Sequence, residues 1–181
     1  MFALAPGHHS AILAAATHAD NNDDKDDDGC AIDALLLHNR NAFEREVSRL
    51  GSALVNECFP GVTDGITPRH IRAENFCALV TATTPLLPGR PCGQVLVACT
   101  PDGVALLRGL CVHRSHRRMG VGSLLLRAVR TLVLKPGVVI EVRVDVFDAN
   151  VAALCGWYKR LGFAAAQPAE VGGELRFTLV N

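Results

Sequence analysis

VHRSHRRMGVGSLLLRAV, residues 112–129, sets Arg114, Arg117 and Arg118 with His113 and His116 in front of a Gly-x-Gly turn, then runs into leucines. The preceding stretch, VALLRGLCVH (104–113), has the apolar content of a strand. Strand, basic turn, glycines and helix in that order predict a cradle for an anion. A helix N-terminus offers unpaired N–H groups and a partial positive charge, and glycines let a ligand approach the backbone. The competing reading is a basic surface turn that contains glycines. Charge favours the cradle: no acid stands between Asp102 and Glu141, a segment holding six Arg and one Lys. Two phosphate loops are excluded. The Gly-x-x-x-x-Gly-Lys-[Ser/Thr] loop is absent, and Leu125 stands where a dinucleotide fingerprint needs its third glycine.

Outward from this loop the pattern is regular. AIDALLLHN (31–39) reads as a strand. NAFEREVSRLGSALVNECF (41–59) spaces Phe43, Val47, Leu50, Leu54 and Val55 along one helix face. Gly61, Gly65 and Pro68 break it, and a short helix is expected around residues 68–72. FCALVTATT (76–84), GQVLVACT (93–100) and the strand at 104–113 follow, the last two joined by a PDG turn. The helix after the loop is predicted over about 120–134, with Val121, Leu125, Ala128 and Leu132 on one face and Ser123, Arg127 and Arg130 opposite. VVIEVRVDVF (138–147) alternates valines with Glu141, Arg143 and Asp145. Residues 150–161 form a helix with Leu154, Trp157 and Leu161 inward and Gly162 as a left-handed cap. FAAA (163–166) and ELRFTLV (174–180) close the chain as strands. This is α/β (α+β) material: a mixed sheet with helices on its faces.

The chain of 181 residues suits one domain, 29–181, behind a tail of residues 1–28. Residues 20–28, DNNDDKDDD, carry six Asp and one Lys, so a net charge of zero hides a body of 17 Lys and Arg against 12 acids. Such a run has no apolar surface to bury and is expected to be disordered. The N-terminus has no cationic n-region and no arginine, unlike a secretory signal or a mitochondrial presequence. No apolar run reaches the roughly 18–20 residues of a membrane span. Seven cysteines, an odd number without C-x-x-C spacing, read as reduced core residues of an intracellular protein in cytoplasm or nucleus.

Arg117, Gly120 and Gly122 satisfy [Arg/Gln]-x-x-Gly-x-[Gly/Ala], and Asn150, Tyr158 and Gly162-Phe163 stand in NVAALCGWYKRLGF. With this element order, the chain resembles the GNAT superfamily of N-acetyltransferases. The resemblance implies a mostly antiparallel sheet of about seven strands with one splayed parallel pair, flanked by about four helices. It implies acetyl-CoA as cosubstrate and no metal. The pantetheine arm pairs with the backbone at Leu110, Cys111 and Val112, the diphosphate lies on the N–H groups of Arg117, Arg118, Met119, Gly120, Val121, Gly122 and Ser123, and Asn150 contacts the cofactor. One feature departs from the family: Asn150 precedes Tyr158 by eight positions instead of seven.

The implied chemistry is direct acyl transfer to an amine, on a small molecule or a protein, by a monomer or homodimer. Cys111 or Val112 N–H would stabilise the oxyanion, Tyr158 would protonate the departing thiolate, and Asp145, ahead of Glu141, would take the amine proton. Against these stand plainer roles: Tyr158 as a capped helix residue, Trp157 as core, His113 and His116 as loop residues rather than a metal pair, Cys111 and Cys155 as inert thiols. Two other functions compete: a non-catalytic acyl-CoA-binding module, and a nucleic-acid binder, which 5% aromatic content disfavours.

Overall fold

The computed structural model describes residues 30–37, 40–59, 75–145, 150–164, 167–168 and 174–181. The tail, the helix expected at 68–72 and the segment 146–149 lie outside the described residues. Strands β1 (Ala31–Leu36), β2 (Phe76–Thr83), β3 (Pro91–Cys99), β4 (Val104–Val112), β5 (Val139–Asp145), β6 (Gln167–Pro168) and β7 (Glu174–Val180) form one sheet in the order β1-β2-β3-β4-β5-β7-β6. Every neighbouring pair is antiparallel except β4 and β5. The described helices are α1 (Arg40–Cys58), α2 (Val121–Ala128) and α3 (Val151–Arg160), with a 3-10 turn at Arg114–His116.

The sheet is covered on both sides, which is why β2 and β3 are apolar almost throughout and buried along nearly their whole length. On one face, Phe43 and Val47 of α1 pack on Phe76, Leu79, Leu96, Ala98 and Leu106. On the other, Val121, Leu125 and Leu126 of α2 and Tyr158 of α3 join Val80, Val95, Val97, Leu107, Val142 and Phe177. Each large side chain so buried contributes about 1.5–3 kcal/mol. Gly93 makes the α2 contact close: a Cβ there would stand 2.8 Å from Val121 Cγ1 and 3.0 Å from Leu125 Cδ1.

Two expectations change. The helix after the loop is α-helical only to Ala128; Val129–Val133 widens into a π turn, closed by the Leu134 N–H on Val129 O at 3.1 Å. Phe163 does not begin a strand, and residues 165–166 lie outside the described residues. Gly162, at φ 90°, and Phe163 donate back to Lys159 O and Tyr158 O, a Schellman close of α3, while the Phe163 ring enters the core beside Tyr158. Backbone pairing on β7 comes from Ala164 N–H, which donates to Thr178 O at 2.8 Å, and from the two-residue β6.

Candidate functional site

The site starts in β4. Its ladder with β5 runs from Val104↔Val139 to Leu107↔Val142 and stops there. The cause lies two residues on. Against β3, Leu96 faces Arg108 and Gln94 faces Cys111, so Gly109 and Leu110 together oppose Val95. Gly109 has φ 57°, the left-handed first residue of a glycine β-bulge, which adds twist and turns the strand. The second half of β4 therefore leaves β5, and a gap opens between the two parallel strands.

Backbone alternation decides which groups face that gap. His113 N–H donates to Cys92 O at 2.8 Å, so bonded pairing on β3 recurs at Cys111 and skips Val112. Val112 turns its N–H and C=O away from β3. Its carbonyl accepts from Arg117 Nε at 3.1 Å and from Cys58 Sγ at 3.5 Å. Of the two amides expected to meet an oxyanion, Val112 N–H is the one directed off the sheet, and Cys111 N–H belongs to the β3 ladder.

Beyond β4 the loop divides in two. Its first part is tied down. Ser115 Oγ lies 2.6 Å from His113 Nδ1 and 2.8 Å from His116 Nδ1, and Ser115 N–H also donates to His113 Nδ1. That leaves the His113 proton on Nε2, 2.9 Å from Glu57 Oε1. His116 is buried. Both histidines thus hold the turn together.

The second part is open. Among the described residues, no acceptor meets the N–H groups of Arg117, Arg118, Met119, Gly120, Val121, Gly122 and Ser123; the first bond of α2 is Leu124 N–H to Gly120 O at 3.0 Å. Arg118 and Gly120 adopt left-handed conformations, φ 67° and 82°, the geometry that curls successive amides toward a shared anion. Arg117, Arg118 and Met119 side chains are exposed.

Helix α3 closes the other wall. Trp157 packs on the loop: a Cβ on Gly122 would lie 3.2 Å from its ring, and its Nε1–H donates to Ser123 Oγ at 3.4 Å. Tyr158 is 4% exposed, stacked among Trp157, Phe163 and Phe177. Among the described residues no backbone cap holds its hydroxyl, and burial pushes the phenol up from its ordinary range, so it stays protonated. Asn150 caps the start of α3, its carbonyl accepting from Leu154 N–H at 2.9 Å. On β5, Ile140, Val142 and Val144 face α2 and α3, leaving Glu141 and Arg143 on the α1 side. Glu141 accepts from Arg143 Nε at 2.8 Å, the pairing that competes with a role as base. Asp145 ends β5 opposite Glu174; its side chain lies outside the described residues.

Some neighbours of the site gave no signal in the sequence. Glu57 and Cys58, at the end of α1, reach the β4 terminus, where Glu57, Cys58, Arg90, His113, Arg114 and Arg117 line a cleft of about 620 Å³. Cys58 packs against the cluster of Leu54, Val55 and Cys111, and its neighbouring thiol, with burial, raises the Cys111 thiol well above the ordinary range.

The sequence matches the family model described as "Acetyltransferase (GNAT) domain" over residues 72–165, more than half of the chain. The chain belongs to the GNAT acetyltransferase family. No curated protein matches it. Among solved structures, similarity extends to an acyl-CoA N-acyltransferase from Pseudomonas aeruginosa (TM-score 0.54, 14% identity, 82% of this chain and 98% of that one). It extends also to the IAA acetyltransferase of Bacillus cereus ATCC 14579 (0.54, 14%, 84% and 99%) and to a GNAT-family acetyltransferase of Staphylococcus aureus Mu50 (0.53, 12%, 83% and 99%). At such identities the likeness shows the fold. The GNAT motif residues Arg117, Gly120 and Gly122 fall in the part of the loop whose amides are open.

Proposed function

We propose that the protein is an N-acetyltransferase that moves an acetyl group from acetyl-CoA directly to an amine on a small molecule or a protein. The observation carrying this reading is the run of seven amides, residues 117–123, that meet no acceptor among the described residues, at a helix N-terminus beside an unzipped parallel strand pair. That arrangement fits a diphosphate followed by an extended arm.

Acetyl-CoA supplies the acetyl thioester. The amides from Arg117 to Ser123 take the diphosphate, with the exposed Arg117 and Arg118 side chains beside it. Arg117 commits one N–H to Val112 O and has others to offer phosphate oxygens. The backbone of Leu110 and Val112 lines the gap for the arm, with Cys111 holding that segment to β3. Val112 N–H is the donor for the carbonyl oxygen as charge develops on it. Tyr158, kept neutral by burial, donates a proton to the leaving sulfur. Asp145 takes the amine proton, since Glu141 is held by Arg143. Asn150 meets the cofactor from the start of α3.

Calorimetry with CoA at low salt tests the cradle: binding that weakens as salt rises is expected, and no heat at all would end the proposal. Tyr158→Phe is expected to bind CoA normally and turn over about 10²-fold more slowly; an unchanged rate would remove Tyr158 from the mechanism. A panel of small amines and peptides with acetyl-CoA, read by mass spectrometry, identifies the acceptor.

A further inference from the structure

Six of the seven cysteines stand in pairs that the sequence does not announce. Cys30 and Cys92 have their sulfurs 3.9 Å apart, Cys77 and Cys99 2.8 Å apart, and Cys58 packs against the cluster that holds Cys111. The third pair differs from the others in place and access. Cys58 ends α1, lines the cleft at the β4 terminus and is only half-buried, whereas Cys111 is 5% exposed and lies behind it in a small apolar cluster with Leu54 and Val55. Cys58 Sγ and Arg117 Nε converge on the same carbonyl, that of Val112.

These positions divide the labour of a two-thiol site. Hydrogen bonding with Cys111 and the Arg117 guanidinium bring the Cys58 thiol down to about 7, against burial and the nearby Glu57 charge. Glu57 is itself engaged by His113 and Arg90, at 2.9 and 3.4 Å. A thiolate facing a solvent cleft is the attacking form of cysteine; a protonated, buried neighbour in contact with it is placed to resolve the product.

We infer that Cys58 and Cys111 form a hydroperoxide-sensitive dithiol site, whose disulfide weakens binding in the gap between β4 and β5. The Cys58 thiolate attacks one oxygen of the peroxide. The O–O bond breaks, hydroxide leaves, and Cys58 becomes a sulfenic acid. Cys111 then attacks that sulfur and gives up its proton; the S–O bond breaks and water departs. Two thiols lose two electrons in all, and one peroxide becomes two waters. The bond ties α1 to the stretch of β4 that no β5 ladder holds, and it removes the S–H that Val112 O accepts. The effect on binding rests on the acetyl-CoA reading of the gap; the disulfide does not.

Reduced protein is treated with hydrogen peroxide near pH 7, alkylated and digested without reductant, and its peptides are mapped. The expected product joins the Cys58 and Cys111 peptides; its absence while free Cys58 persists overturns the inference. CoA titration is then run on reduced, oxidised and re-reduced protein. Affinity at least tenfold weaker after oxidation, restored by dithiothreitol and insensitive to peroxide in Cys58→Ser, supports it. A mapped Cys58–Cys111 bond with unchanged affinity overturns the coupling. If reduced protein binds no CoA, the acetyl-CoA reading fails while the peptide map still decides the disulfide.

Discussion

The two halves of β4 do opposite work. From Val104 to Leu107 the strand is bonded to β3 on one side and β5 on the other, and Ala105 and Leu107 sit in the core. From Gly109 to Val112 it keeps β3 and abandons β5. One glycine with φ 57° separates a stretch that stabilises from the stretch proposed to bind. The same division recurs in the loop, where residues 113–116 are clasped by their own side chains and 117–123 keep their amides open. Binding backbone is backbone whose partners have been withheld, and the rigid half supports that omission.

The contrast can be tested by its effect on stability. Leu107→Ala, in the closed half, removes a buried side chain and should cost about 2–5 kcal/mol in denaturant unfolding, with CoA affinity of the folded fraction little changed. Gly109→Ala, at the hinge, meets no tight contact, its new Cβ lying 3.7 Å from Val55 Cγ2, but must hold a left-handed backbone. About 1–2 kcal/mol of destabilisation is expected, together with weaker CoA binding as the bulge relaxes. If affinity survives, the bulge does not make the gap.

Tyr158 gives a pH test. Burial raises its phenol in the folded state, so its contribution is fully present below the unfolded pKa of about 10 and is lost as pH rises above that. Stability should fall by up to about 1.4 kcal/mol per pH unit above pH 10 relative to Tyr158→Phe. As the chain has a single tyrosine, tyrosinate absorbance reports its ionisation directly; titration near 10 in folded protein would contradict the burial. Arg117→Ala, on the exposed loop, should shift stability by no more than about 0.5 kcal/mol yet weaken CoA binding and flatten its salt dependence. An unaltered salt response would take the Arg117 charge out of the site.

Much of this was legible beforehand, because periodicity reports burial. Phe43, Val47, Leu54 and Val55 bury as their spacing demands, and the β5 valines separate from Glu141 and Arg143. Arg117, Gly120 and Gly122 marked the turn whose amides meet no acceptor among the described residues. What escaped was set by contacts distant in sequence. Cys111 read as an isolated thiol because Cys58 stands 53 positions away. Phe163 read as the start of a strand because its apolar side chain fits equally a helix close whose ring turns inward. Gly109 passed as an ordinary strand residue, although a glycine inside a strand pattern is itself a bulge signal.

The indole of Trp157 rests against Gly122 and reaches Ser123, and the chain has no other tryptophan. Its emission therefore comes from a single address on the rim of the open amides. Any occupant that alters polarity or packing there writes its arrival into one fluorescence band, so the molecule carries its own optical gauge and needs no attached dye.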